Sequence, residues 1–279
     1  MIATDPEAWD RFVESSEPGS YLQLSGWARV KAVNGWSDHR LLADVGRAAT
    51  ALDPAVGPVV TRIGSQILVR RPRPMPWAFA YAPRGPVASS WTPEAVEAFT
   101  AEVHRWRTNV GGRLSHVRID PEIEQDGPLD RDGALRHALR RAGWRPAAAV
   151  QPNATRIVDL RADETALWGD LRKKWRQYVN KARVAGIRVV DATGDRLPEF
   201  YRIYRETADR AGFLIRTEAA YREIWHAFAP AGRARLLFAE TAQGIPVATL
   251  FLVRSGPRVV EPYGGMTAAG GESRANYLL

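Results

Sequence analysis

The chain has 279 residues, a formal net charge of +8 and 45% hydrophobic residues, enough apolar material for one large or two ordinary globular domains and a basic excess that suits anionic partners. It contains no cysteine, which excludes disulfides, thiolate metal sites and a cysteine nucleophile, and its five histidines show no metal-ligand spacing, so no metal is expected. Without a leader-like N-terminus or a run of eighteen apolar residues, a cytoplasmic protein is expected, its basic surface able to touch the inner membrane leaflet.

Asp5 is placed to cap a short helix over Pro6–Val13, with proline at its first position, and Pro18-Gly19-Ser20 ends that unit. Tyr21–Asn34 reads as a second helix, closed by Gly35, with Lys31 near its end where a cation suits the helix dipole. His39–Asp44 is the first expected strand. Gly57–Ile63, a Gly64-Ser65 turn, Gln66–Arg71 and Trp77–Tyr81 continue a strand-rich stretch that Pro83-Arg84-Gly85-Pro86 interrupts. Thr92–Val110 carries Val96, Phe99, Val103 and Trp106 at helical spacing and ends at Gly111-Gly112. Ser115–Ile119 alternates as a strand, stopped by Asp120-Pro121; a polar loop and a short helix over Gly133–Ala142 follow.

The stretch Gln151–Asp191 opens the second half. Thr155–Leu160 alternates as a half-buried strand would, and a helix capped by Asp163 is expected to pack Leu167, Leu171, Trp175, Tyr178 and Ala182 inward before Gly186 ends it. Between Arg172 and Arg183 this helix has six basic residues (Arg172, Lys173, Lys174, Arg176, Lys181 and Arg183) and no acidic one. Such a run is either a solvated face or a surface for phosphate-rich ligands. Ile187–Asp191 reads as a strand, Leu197–Ala211 and Thr217–Ala229 as helices, and Arg235–Thr241, Val247–Val253 and Arg258–Tyr263 as a meander ended by Gly264-Gly265. Glu272–Leu279 begins a further helix. Both halves run from helices to an antiparallel meander, then to a tyrosine followed by glycine, then to a helix, which divides the chain into domains over 1–150 and 151–279.

No phosphate-cradling glycine loop, dinucleotide fingerprint or serine elbow is present. What remains are groups that position anions and amines. Lys31, Arg210 and Arg216 suit phosphate, though each alone is equally an ordinary surface cation. Tyr221 and Tyr263 suit a ligand or oxyanion, though a buried tyrosine is more often a core residue. Asp120, at a strand end, either accepts from an amine or caps a turn.

Seven segments in order, Gln23-Leu-Ser-Gly-Trp-Ala-Arg-Val-Lys31, Tyr81-Ala-Pro-Arg-Gly-Pro-Val87, Val117-Arg-Ile-Asp-Pro121, Pro152-Asn-Ala-Thr155 with Asp159-Leu160, Lys181-Ala-Arg-Val-Ala-Gly186, Arg210-Ala-Gly-Phe-Leu-Ile-Arg216 and Tyr263-Gly-Gly265, resemble the FemABX family. The resemblance implies an α+β fold of two tandem GNAT-like domains, with mixed, mostly antiparallel sheets flanked by helices, the second domain truncated here. It implies an aminoacyltransferase that moves an amino acid from aminoacyl-tRNA to an amine of a peptidoglycan precursor, either a UDP-MurNAc-peptide or lipid II, with no cofactor. By similarity, Lys31 and Arg216 hold the precursor's diphosphate, Tyr221 and Tyr263 line the same groove, and Asp120 matches an acidic position considered catalytic. The six helix cations become candidates for tRNA contact, and a monomer is expected.

Two other readings stay open. One is an acyl-CoA-dependent N-acyltransferase, for which the only pyrophosphate-loop match, Gln23-Leu-Ser-Gly26-Trp-Ala28, falls inside an expected helix. The other is a non-catalytic nucleic-acid-binding protein that uses the basic helix.

Overall fold

The computed structural model describes residues 5–46, 60–110 and 113–279. The chain divides into two compact units, Met1–Asn153 with Ser255–Arg258, and Ala154–Arg254 with Val259–Leu279.

In the first unit, α1 (Pro6–Ser15) starts where the Asp5 carboxylate accepts from the backbone N–H groups of Glu7 and Ala8, at 3.0 and 3.2 Å. The single helix expected over Tyr21–Asn34 is instead a 3-10 turn, Tyr21–Gln23, followed by α2 (Ser25–Ala32). Leu24 is extended between them, and buried Asp10 takes up both the backbone N–H and the hydroxyl of Ser25, at 2.7 and 2.9 Å. Strands β1 (Trp36–Gly46) and β2 (Val60–Arg70) pair antiparallel along their whole length, from Trp36 opposite Arg70 to Gly46 opposite Val60. The expected Gly64-Ser65 turn does not form, and β2 runs straight through it. Gly64 serves close approach instead, because a Cβ there would lie 2.6 Å from the Leu41 carbonyl oxygen and from the Leu42 side chain. The expected strand positions 57–59 and the Gly111-Gly112 stop lie outside the described residues.

Strand β3 (Trp77–Ala82) pairs with β2, and the short β4 (Val87–Ala88) also pairs with β2. Helix α3 (Pro93–Asn109) then returns the chain to β5 (Arg113–Ile119), which lies parallel to β3, giving the order β1-β2-β3-β5. A parallel neighbour requires such a crossover. Phe99, Val103 and Trp106 of α3 pack on Leu41, Ile63 and Ile67, the face the helical spacing marks as apolar. Helix α4 (Ala134–Arg141) closes the unit over Val96.

The fully buried side chain of Gln23 ties these parts together. Its amide nitrogen donates to the carbonyls of Pro83 (2.7 Å) and Gln66 (3.3 Å), and its amide oxygen accepts from the Gln66 N–H (2.7 Å) and the Ser65 hydroxyl (3.2 Å). The residue opening the literal pyrophosphate-loop match is therefore spent inside the fold.

The second unit begins with a correction. Thr155–Leu160 forms no strand, and Ile157 and Leu160 are 68% and 71% exposed. The alternation is present, but no ladder among the described residues answers its backbone groups. The long helix is also two helices, α5 (Glu164–Asp170) and α6 (Lys173–Val184), separated by extended Leu171 and Arg172. Arg176 stabilises the break by donating Nη1 to the carbonyls of Trp168 (3.3 Å) and Gly169 (2.8 Å) at the end of α5. On α6 the buried residues are Val179 and Ala182, whereas Trp175, expected to pack inward, is 49% exposed.

Strand β6 (Arg188–Ala192), helices α7 (Leu197–Ala211) and α8 (Glu218–Phe228), and strands β7 (Ala234–Glu240), β8 (Pro246–Ser255) and β9 (Arg258–Met266) follow. The sheet order is β6-β7-β8-β9, with β6–β7 and β7–β8 antiparallel. Gly264 and Gly265 do not end the meander but continue β9, and a Cβ on Gly265 would meet the Thr207 hydroxyl at 2.7 Å and the Tyr204 backbone at 3.2 Å. The helix expected over Glu272–Leu279 is also absent. Helix α9 (Ala268–Ser273) ends earlier, at left-handed Arg274, and a 3-10 turn, Ala275–Tyr277, follows. Among the described residues no helix is long and apolar enough to cross a membrane.

Replacing Gln23 by leucine leaves the Gln66 N–H and the Pro83 carbonyl buried without their partner, which should lower the unfolding free energy by about 2–3 kcal/mol. Urea denaturation of the variant checks this, and an unchanged midpoint would contradict it.

Candidate active site

The candidate residues fall into separate groups in the two units. In the first, Asp120 follows the last residue of β5, and its backbone N–H donates to the Gly85 carbonyl (2.8 Å). Its carboxylate accepts from the Tyr81 hydroxyl at 3.1 Å, and that hydroxyl accepts in turn from the Gln151 side-chain amide at 3.2 Å. Burial, with the Asp120 charge adding to it, pushes the Tyr81 phenol up to about 12, so it remains a proton donor to Asp120 at neutral pH. The neighbouring turn carries one strained residue. Arg84 adopts a left-handed backbone at φ 51°, ion-pairs with Glu122 (3.2 Å) and donates to the Pro152 carbonyl (2.9 Å). Sequence reasoning misses Tyr81 as the partner of Asp120 and Gln151 as the partner of Tyr81, because the two contacts span 39 and 70 residues.

Lys31 sits on α2 between two indoles, its Nζ 5.2 Å from the Trp27 ring centroid and 5.7 Å from that of Trp36. Aromatic faces orient an ammonium without neutralising it.

In the second unit the fold brings Arg216, Tyr221 and Tyr263 together. The Arg216 backbone N–H donates to the Tyr221 hydroxyl at 3.2 Å, and the rings of Tyr221 and Tyr263 meet edge to face at 5.0 Å. Tyr204 contacts both rings, at 5.7 and 6.0 Å, a third member that spacing on α7 marks only as a core position. Burial drives the Tyr221 phenol up to about 12 and raises Tyr263 as well, while the Arg216 charge opposes both shifts. The group therefore combines one guanidinium with neutral phenols, a set suited to orienting a phosphate or an oxyanion by hydrogen bonds. Arg210 is committed elsewhere, donating to the Met266 carbonyl at 2.9 Å.

The six basic residues of the α6 region do not share one role. Arg176 caps α5, Arg183 lies over the Trp168 ring at 5.3 Å, and Lys174 lies over Tyr178 at 5.7 Å. Arg172, Lys173 and Lys181 have no ion pair among the described residues.

A family model described as the FemAB family matches residues 4–244. The chain belongs to the FemAB family. It is 27% identical over 241 residues to a protein of Staphylococcus saprophyticus named lipid II:glycine glycyltransferase, covering 85% of this chain and 54% of that protein. A Staphylococcus epidermidis protein of the same name is 27% identical over 236 residues, covering 81% of this chain and 52% of that one. The chain thus spans about half the length of the curated relatives it matches. Its fold is that of the crystal structure of FemX, with a TM-score of 0.79 at 18% identity over 99% of this chain and 82% of that one. The mixed α+β class expected from the family resemblance is the class observed.

The raised phenols of Tyr81 and Tyr221 carry a pH consequence. In the unfolded chain a tyrosine ionises near its ordinary value of about 10, whereas these two hold their protons to about 12. Between those limits the unfolded state binds fewer protons, so their contribution to stability is complete below pH 10 and is lost as pH rises toward 12. A Tyr81→Phe, Tyr221→Phe double variant should therefore lose less stability than the parent between pH 9 and 11 in urea titrations; equal losses would contradict the shifts.

Proposed function

We propose that this FemAB-family chain takes part in transferring an amino acid from an aminoacyl-tRNA to a free amine on the stem peptide of a peptidoglycan precursor carrying a diphosphate, as cross-bridge synthesis requires. The observation that carries the reading is the family match over 4–244 together with relatives named lipid II:glycine glycyltransferase. The arrangement of Arg216, Tyr221 and Tyr263 supports it, since a guanidinium beside neutral phenols suits a diphosphate. In this reading Arg216 binds the diphosphate and Tyr221 and Tyr263 line its groove, and Lys31 of the first unit is a further candidate for binding the precursor.

The chemistry asks little of the protein's own reactivity. The amine nitrogen attacks the ester carbonyl carbon, the tetrahedral intermediate collapses, and the tRNA ribose hydroxyl leaves with a proton while the amine loses one. The ester is already activated, so the protein's work is to align the reactants and stabilise the oxyanion. Asp120 is the candidate acceptor for the attacking amine's hydrogen bond, its carboxylate bonded by the Tyr81 hydroxyl, which accepts in turn from Gln151. Of the six cations of the α6 region, Arg172, Lys173, Lys174, Lys181 and Arg183 form the candidate tRNA-facing charge, Arg176 being committed to the end of α5, and a basic surface of this kind also suits a membrane leaflet that presents a lipid-linked acceptor.

Binding of a UDP-linked muropeptide, compared with the same peptide lacking the diphosphate, tests the assignment. Lys31→Ala and Arg216→Ala should each weaken the UDP-linked ligand by roughly tenfold or more, the scale of one lost charge-assisted hydrogen bond, and leave the diphosphate-free peptide unchanged. Wild-type affinity in both variants would remove the diphosphate site from the proposal.

A further inference from the structure

Several segments of the first unit finish or begin at one end of its sheet. The turn after α2 leads into Trp36, which pairs with Arg70 at the end of β2, and Arg70 pairs in turn with Phe79 near the start of β3. Trp77, the first residue of β3, lies opposite Arg113, the first of β5. The loop Arg71-Pro-Arg-Pro-Met-Pro76 joins β2 to β3 at this end. Met75 and Trp77 are 46% and 44% exposed, and Val33, just beyond α2, is 66% exposed. Three large apolar side chains thus stand in water at one end of the unit, which a scatter of single exposed residues does not explain.

The same end is basic throughout. No acidic residue lies between Glu17 and Asp38, between Asp53 and Glu94 or between Glu102 and Asp120, the three stretches that build it. The bordering carboxylates Asp38 and Glu102 are paired with Arg40 (2.9 Å) and Arg105 (2.7 Å). Arg70, Arg71, Arg73 and Arg113 therefore flank Met75 and Trp77 with charge of one sign, along the loop and across the β3–β5 pairing. The loop backbone also suits a water-poor layer. Pro72, Pro74 and Pro76 bring no N–H, and the Met75 N–H already donates to the Pro72 carbonyl at 2.9 Å. Such a loop gives up few hydrogen bonds to water when it enters a medium of low dielectric.

We infer that this end of the first unit docks on an anionic lipid bilayer, with Met75 and Trp77 entering the headgroup layer and the surrounding arginines on its phosphates. An indole is favoured at the membrane–water boundary, buried apolar area holds a peripheral protein there, and each nearby arginine adds attraction to a negative leaflet. A nucleic acid would use the arginines alone. Residues 70–77 offer no serine, threonine, asparagine or glutamine to read a base edge, and an exposed methionine gains nothing from phosphates. The surface belongs to the first unit and involves none of the cations of α6.

Because the chain has no cysteine, Met75→Cys supplies a single thiol for an environment-sensitive fluorophore on the full chain. Ser90→Cys, exposed just before α3 and so at the far end of that helix, supplies the control. With phosphatidylcholine vesicles containing phosphatidylglycerol, the label at position 75 should shift to the blue and be quenched by nitroxide-bearing lipids, while the label at position 90 should not change. In sedimentation with the same vesicles, Arg73→Glu should partition about tenfold more weakly or worse, and Met75→Ser about threefold more weakly, each with the parental melting temperature. The inference is overturned if the label at position 75 stays unquenched, or if both labels respond alike. It is also overturned if Met75→Ser partitions as the parent does, since charge alone then explains the binding. A third contrary result is an Arg73→Glu variant that loses affinity for duplex RNA and keeps parental vesicle binding, which would make this end a nucleic-acid surface. No amino acid is transferred in these measurements, so their failure leaves the proposed reaction standing, and failure of the reaction leaves the docking surface standing.

Discussion

A polar group taken out of water has to be answered, and in each unit one such group fixes the loop that carries candidate site residues. In the first unit it is the Gln23 amide. Its four bonds tie the 3-10 turn before α2 to β2 and to the Pro83 carbonyl, and Gly85 leaves room for it, since a Cβ there would fall 2.6 Å from the Gln23 amide nitrogen. The same turn receives the Asp120 N–H, so the carboxylate's position is inherited from a bond network that begins at Gln23. In the second unit it is the Tyr221 hydroxyl, buried and accepting the Arg216 N–H. Both loops hold their candidate residues by backbone anchors.

Elements with a buried apolar face of helical or alternating period were legible in the sequence. Helix α7 has the expected ends, and α3 packs the expected face, because Phe99, Val103 and Trp106 carry their own periodicity. The errors share a physical cause. Gly64-Ser65 and Gly264-Gly265 read as turns from local preference, yet both pairs lie in strands where a missing Cβ admits a close neighbour. Thr155–Leu160 has the alternation of a strand without a ladder to join. The stretch after Asp163 looked continuous because its apolar steps span the break, whereas the Arg176 contacts that end α5 leave no periodic mark.

The candidate residues were named from the sequence, and their partners were not. Lys31, Arg216, Tyr221, Tyr263 and Asp120 follow from the family resemblance, and the fold assembles three of them in one unit. Tyr81, Gln151 and Tyr204 join them through contacts between distant positions, which no single sequence displays. The basic run gave charge but not its division of labour: one arginine caps a helix, others lie over aromatic rings, and the exposed indole among them was assigned to the core.

The central claim is amide-bond formation with an activated tRNA ester as donor. Single-turnover transfer of a radiolabelled amino acid from charged tRNA to lipid II, by the full-length protein and without ATP, tests it most directly. The account predicts labelled lipid II that survives alkali, as an amide does and an ester does not. Loss of label from the tRNA with none in the precursor, or product formed only from an acyl-coenzyme A, would contradict it.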